Sequence, residues 1–171
     1  VMRRKGVRFP VTELSGNPTT RKEYDEGYVL FDADRRMFHL KMVQGRPYVR
    51  AIALPEGVRP EHLFITEYHS RRTLALLTDD RARLYAVCMP GYEVRRVGGV
   101  SYDPERESIS IIGTLLHWTV CVEGDSAERC YAVAADNLAL LDTLSYPLSG
   151  RHLPGLAFTS SQDNYVRPRL R

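Results

Sequence analysis

Apolar residues in this chain fall in short dense runs separated by polar turns. Thr73-Leu74-Ala75-Leu76-Leu77 and Ile109-Ser110-Ile111-Ile112 are apolar at nearly consecutive positions. A half-exposed strand alternates apolar with polar, so such runs predict strands covered on both faces. Three segments share one pattern: Asp, three residues, Arg, an apolar residue, an aromatic, one more residue, then an apolar one. They are Asp32 to Leu40, Asp79 to Val87 and Asp125 to Val133, at offsets of 47 and 46 residues. The pattern predicts a strand–turn–strand unit in which Asp opens the turn by accepting hydrogen bonds from amides further along.

Further strand candidates flank these hairpins: Leu63-Phe64-Ile65-Thr66 and Tyr92 to Val97 around the second, Ile109 to Ile112 and Ala139 to Leu144 around the third. Four strands per 46–47 residues, buried on both faces, is the pattern of propeller blades. A truncated copy follows, with Gly155-Leu156-Ala157-Phe158 in the place of Ile109 to Ile112 and Tyr165-Val166 near the next strand. Val7 to Thr12 offers a spare strand at the other end. The expectation is an all-β, propeller-like single domain over residues 1–171. It has blade-like units at about 16–55, 63–97 and 109–146, and a partial fourth that joins 155–171 to 7–14. The alternatives are a β-meander sandwich, or an α+β fold in which Asp136 caps a helix through Leu138, Leu140, Leu141 and Leu144.

Composition adds limits. The 171 residues are 43% apolar and 26% charged, with a net charge of +3. That suits one globular domain and excludes general disorder. No apolar run approaches the ~20 residues of a membrane-spanning helix. The chain starts at Val1, which suggests processing or excision from something longer. Charge is uneven: residues 1–50 carry eleven Lys/Arg against six Asp/Glu, residues 51–150 nine against fourteen, and residues 151–171 four against one. If the ends meet, Arg3, Arg4, Lys5, Arg167, Arg169 and Arg171 form a basic patch; otherwise they are solvated tails. Aromatic and basic residues are not interleaved as on a nucleic-acid stacking platform, so no nucleic-acid partner is expected.

The candidate chemistry is sparse. Cys88, Cys121 and Cys130 have no metal-like spacing. Cys121 and Cys130 flank the turn Gly124-Asp125-Ser126-Ala127, where a cross-strand bridge fits; two small apolar side chains on a buried face is the preferred reading. Nucleophile-elbow, phosphate-loop and zinc patterns do not occur, and His39, His62, His69, His117 and His152 are scattered. No catalytic residue, metal or cofactor is expected. Trp118 reads as packing between units. The segment that fits no unit is Ser15 to Gly27, polar and dense in donors and acceptors. Its candidate ligand- or partner-binding residues are Asn17, Thr19, Thr20, Arg21, Lys22 and Tyr24. Arg21 and Lys22 suit an anion and Tyr24 a partner; alternatively Asn17 and Thr19 bond their own backbone in a plain connector.

The run Gly16 to Tyr28 resembles an uncharacterised family of membrane-anchored proteins from Bacteroidetes-type bacteria, often found with ABC transporter ATPases. Gly45 to Arg50, Leu54 to Val58, Leu63 to Glu67 and Pro154 to Thr159 extend the resemblance over most of the chain. The resemblance implies a soluble domain on the extracytoplasmic (periplasmic) face of a bacterial membrane, anchored by segments outside this chain. It implies no catalytic residues. The resulting expectation is a non-enzymatic binding or interaction domain with a membrane or transporter protein as partner. The alternative is a small-ligand or anion sensor that uses the 15–27 loop and the basic termini.

Overall fold

The dense apolar runs form strands, and each strand pairs with the next one in sequence. The computed structural model describes residues 1–18, 24–148, 156–160 and 166–170. A 3-10 turn, Arg3–Lys5, precedes β1 (Glu13–Gly16), β2 (Tyr28–Phe31), β3 (Met37–Val43) and β4 (Arg46–Ile52), which form the first sheet in that order. The second sheet contains β5 (Pro60–Ile65), β6 (Thr73–Asp79), β7 (Arg83–Cys88) and β8 (Glu93–Ser101). The third contains β9 (Ser108–Gly113), β10 (His117–Glu123), β11 (Ala127–Ala134) and β12 (Leu140–Pro147). A hairpin of β13 (Leu156–Ser160) and β14 (Val166–Leu170) follows. The chain is all-β: three four-stranded antiparallel meanders, not closed into a barrel. The helix considered from Asp136 to Leu144 does not form, because residues from Leu140 onward pair with β11 as β12.

The sheets pack face to face in chain order. Val29, Phe31, Met37 and Ile52 of the first sheet meet Leu63, Leu74, Leu77, Tyr85 and Val87 of the second. The opposite face of the second sheet, with Leu76, Leu84, Ala86 and Val97, meets Trp118, Val120, Val122, Tyr131 and Val133 of the third. Every residue of β6 is therefore buried, as its unbroken apolar run predicts. Residues 7–12 form no strand. Val7 and Val11, with Met2, instead cover Leu30 and Phe38 on the outer face of the first sheet.

The repeated Asp builds the same turn twice. Asp32 Oδ1 accepts from the amides of Asp34 and Arg36, both at 3.0 Å. Asp79 Oδ1 accepts from those of Arg81 and Arg83 at 3.1 and 3.0 Å. In each turn the residue before the Arg is left-handed, Arg35 at φ 57° and Ala82 at φ 55°. The other oxygen holds the Arg: Asp32 Oδ2 accepts from Arg36 Nε at 3.0 Å, and Asp79 Oδ2 from Arg83 Nε at 2.6 Å. Asp32 Oδ2 also accepts from the Arg8 amide at 3.1 Å, which fastens the N-terminal segment to the first sheet.

The third copy departs from the pattern. Leu30 faces Phe38 and Leu77 faces Tyr85, eight residues apart in both hairpins, but Val120 faces Tyr131, eleven apart. The third hairpin is longer, so Asp125 reaches its exposed tip while Arg129 turns to Glu107. The aligned Asp thus lacks the role its sequence position implies. The same register sets Cys121 directly opposite Cys130, and the two form a disulfide with Cα atoms 4.1 Å apart. This corrects the reading of two free, apolar cysteines: the long hairpin brings their Cβ atoms together on one face. Cys88 stays free.

Asp79→Ala removes an acceptor shared by two amides, one guanidinium and the Tyr85 hydroxyl, which lies 3.1 Å from Oδ2. It should lower the unfolding free energy by about 3–5 kcal/mol. Asp125→Ala, at an exposed tip, should cost no more than about 0.5 kcal/mol. Urea unfolding midpoints with unchanged slopes check both. Burial pushes Asp32 and Asp79 upward, but the Arg36 and Arg83 guanidinium groups and the turn amides outweigh it and hold both carboxyls below the ordinary range. Their contribution is present above the unfolded Asp value of about 3.9 and is lost as pH falls through the lowered folded values. Melting temperature should drop steeply over that acidic window in the native chain, and less steeply in Asp79→Asn.

Candidate binding site

The end of the sheets opposite the Asp turns gathers residues 15–18 and 24–27, the β5–β6 connector and the β9–β10 connector. Asn17 Nδ2 donates to Glu67 Oε2 at 2.8 Å, and the Tyr24 hydroxyl donates to the Tyr68 carbonyl at 2.7 Å. The Arg71 guanidinium lies 4.6 Å above the Tyr24 ring and also donates through Nε to Glu26 Oε1 at 3.0 Å. Lys41 Nζ reaches the other Glu26 oxygen at 3.0 Å. Burial raises the Glu26 carboxyl, but Lys41 and Arg71 together bring it below its ordinary range. Gly27 is needed where this segment enters β2: its φ is 71°, and a Cβ there would sit 2.3 Å from the Leu40 carbonyl oxygen.

Beneath Glu26 lies His39, fully buried on β3. Its Nε2–H donates to the Glu26 carbonyl at 2.5 Å, so the Tyr92 hydroxyl donates to Nδ1 at 2.8 Å. Burial, then its contact with Tyr48, raises the Tyr92 phenol and keeps it a neutral donor. The Arg50 guanidinium covers the Tyr92 ring at 4.5 Å. Burial, reinforced by Lys41, lowers the His39 imidazole. His39 is thus a clasp between the first two sheets, with both nitrogens occupied. A lone histidine between apolar residues gives no such signal in the sequence.

Next to this clasp a groove lies between the second and third sheets and their connectors. Two cavities of about 580 and 440 Å³ share Ser70, Thr114, Leu115 and Trp118 in their walls. The rings of Tyr68, in the β5–β6 connector, and Trp118, on β10, lie 6.2 Å apart at 53°. Gly113 lets the indole lie against β9, since a Cβ there would meet Trp118 at 3.0 Å. Trp118 packs in the core, as its sequence position suggests, and it also lines the groove. Leu115, 67% exposed, is part of the wall. Arg95 crosses the groove's other end, where it donates to Glu93 Oε2 at 2.5 Å and to the Asp136 carbonyl at 3.3 Å.

Of the six residues expected to bind, Asn17 and Tyr24 tie their segment to Glu67 and Tyr68, two residues of the groove wall. Thr19, Thr20, Arg21 and Lys22 lie outside the described residues. The connector reading is modified: the Asn17 amide reaches a side chain fifty residues away. Among the described residues, one trio of His, Cys, Asp or Glu has metal-binding spacing, Cys121, Glu128 and Cys130. Its two sulfurs are joined to each other.

A family model described as a domain of unknown function, DUF4857, matches residues 1–133. The chain belongs to that family. The match takes in the first two sheets, the clasp and the groove wall except Ala135, Asp136 and Leu138, and runs through β9 and β10 into β11. No curated protein and no solved structure matches the chain.

The His39 clasp carries a pH signature. An unfolded imidazole takes up a proton near pH 6.5, whereas the folded one resists, so the unfolded state binds more protons and stability falls as pH drops below that value. The slope is at most about 1.4 kcal/mol per pH unit. Chemical unfolding at pH 7.5, 6.5 and 5.5 should show it, and His39→Gln should abolish it while lowering stability throughout.

Proposed function

We propose that this domain is a non-enzymatic binding module, arranged as a propeller-like stack, that holds a protein partner in the groove over Trp118 and Tyr68. The groove carries the reading: Trp118 of β10 and Tyr68 of the β5–β6 connector give it aromatic walls, and the exposed Leu115 beside them is rimmed by polar groups. Buried aromatic anchors with a polar rim are the usual centre of a protein interface. The buried His39 is held on both nitrogens, which favours a structural role over proton transfer.

The propeller-like part of the proposal is supported by the direction of packing. The aromatic of each repeat faces the preceding unit: Phe38 faces the N-terminal segment, Tyr85 the first sheet and Tyr131 the second. In the same proposal the domain sits on the extracytoplasmic face of a bacterial membrane, anchored by segments outside this chain and associated with a transporter component. The Cys121–Cys130 disulfide supports an oxidising compartment. The membrane and the transporter rest on the family resemblance of the Gly16 to Tyr28 run.

Leu115→Glu places a charge in the groove wall at an exposed position, so unfolding midpoints should stay within about 0.5 kcal/mol of the native chain. Co-purification of the membrane-anchored protein should lose its partner by about tenfold or more, as hot-spot substitutions do. Met42→Glu is the control, on an apolar side chain equally exposed but on the first sheet. Equal partner recovery with Leu115→Glu and Met42→Glu would remove the groove from the interface.

A further inference from the structure

A second pocket lies at the Asp-turn end of the sheets, away from the groove and independent of it. It has a volume of about 280 Å³ and lies between the start of β5, the end of β6 and the connector after β8. Glu61, Asp80, Asp103 and Glu105 line it, and Asp79, already held by Arg83, sits beside them. At the base is Thr78, 1% exposed, whose Oγ1 is buried without a hydrogen-bond partner among the described residues. A buried hydroxyl left unpaired costs about 1–3 kcal/mol, and native structures seldom keep one without a use.

The acidic charge is only partly compensated. His62 also lines the pocket, and Arg35 Nη1 donates to the Glu61 carbonyl at 3.1 Å without reaching its carboxylate. Arg59 reaches Asp80 at 3.8 Å and Arg106 reaches Asp103 at 3.9 Å; both arginine side chains are more than four-fifths exposed. Both distances exceed hydrogen-bond length, so a better-placed cation displaces them cheaply. Burial, then the charges of Glu107 and Asp103, raises the neighbouring Tyr102 phenol, in keeping with a negative local potential. The carboxylates are also spread out. Among the described residues no three of them bring an oxygen each within 4.8 Å of one another, whereas a bare metal ion draws several oxygens into one shell of 2.3–2.6 Å radius. The room and the spacing suit a larger cation with several N–H donors.

We propose that this pocket binds an organic cation bearing amino or guanidinium groups, with Glu61, Asp80, Asp103 and Glu105 supplying the charge and Thr78 Oγ1 accepting one N–H bond. A free polyamine and the arginine side chain of a polypeptide share this chemistry. Calorimetric titration of the intact chain at low salt, with spermidine and with the amidated tripeptide Gly-Arg-Gly as probes, tests it. The expected result is one saturable site for at least one probe, and the probe that binds identifies the source.

Glu61→Gln combined with Glu105→Gln, both exposed, should weaken binding about tenfold or more. Thr78→Val should weaken it by a similar factor while leaving the melting temperature equal or higher, because it removes an unpaired buried hydroxyl. Circular dichroism confirms that each variant is folded. No heat with either probe overturns the proposal. So does binding that survives all three substitutions, as adventitious charge attraction would. Calcium ion is the third probe, and a calcium site that the same substitutions abolish, with neither organic probe bound, also overturns it.

Discussion

A sheet that is apolar on both faces must be covered twice, and the second sheet of this chain imposes that requirement on everything around it. β6 has no polar face to offer to water, and fully burying one aliphatic side chain such as Leu77 contributes about 2–3 kcal/mol. Exposing either face would remove several such contributions at once. The first sheet therefore packs on one side, the third on the other, and the order of sheets in space follows their order in the chain. Short connectors suffice, because each meander begins close to where the previous one ends.

Face-to-face stacking leaves a second problem at the sheet edges, where backbone groups lack a ladder partner. Between the first two sheets, side chains meet it. Glu13 Oε1 accepts the Leu63 amide at 2.7 Å, and Ser15 Oγ accepts the Ile65 amide at 2.8 Å. Both residues lie on β1, two apart and so on one face of it, and both reach the edge of β5. Asn17, two residues further on, meets Glu67 in the same direction. The polar start of the 15–27 segment is thus a continuation of edge satisfaction, and it holds the β5–β6 connector in place beside the groove.

The repeat period and the all-β class were legible because each leaves a periodic trace: apolar runs every 46–47 residues with an Asp at the same point. Two-sided burial held for β6 but not for the Ile109 to Ile112 run, because β9 is an edge strand of the third sheet and Ser110 and Ile112 are exposed. The Asp turn was legible for Asp32 and Asp79 because its chemistry is local, an oxygen meeting amides two and four residues on. It misled at Asp125 because a strand register is fixed by pairing across the hairpin, which a one-dimensional alignment does not carry. The groove was not legible. Tyr68, Ser70, Thr114 and Leu115 sit in connectors with no motif, and only the packing of the second sheet on the third brings them together around Trp118. The His39 clasp was hidden for a related reason, since its partners Glu26 and Tyr92 are distant in sequence.

The two ends of the sheets therefore do different work, and the chemistry of their connectors explains why. At the Asp-turn end, a carboxylate that satisfies two amides and a guanidinium within five residues needs no help from elsewhere in the fold. The first two hairpins are thus held by local means, and among the described residues the side chains of Glu61 and Glu105 make no hydrogen bond or ion pair. At the opposite end the β5–β6 connector is held by long-range bonds that involve Asn17, Tyr24 and Arg71. The β9–β10 connector is held locally, with Thr114 Oγ1 accepting from the Leu116 and His117 amides at 3.2 and 3.1 Å, and it leaves Leu115 uncovered. Leu115 is one of several large apolar side chains that the fold leaves exposed, with Ile112 and Leu116 beside it and Leu140, Leu141 and Leu144 on β12; of these six, Leu115 alone lies in the groove wall, which is why the groove and not the bare face of β12 is where a partner is proposed.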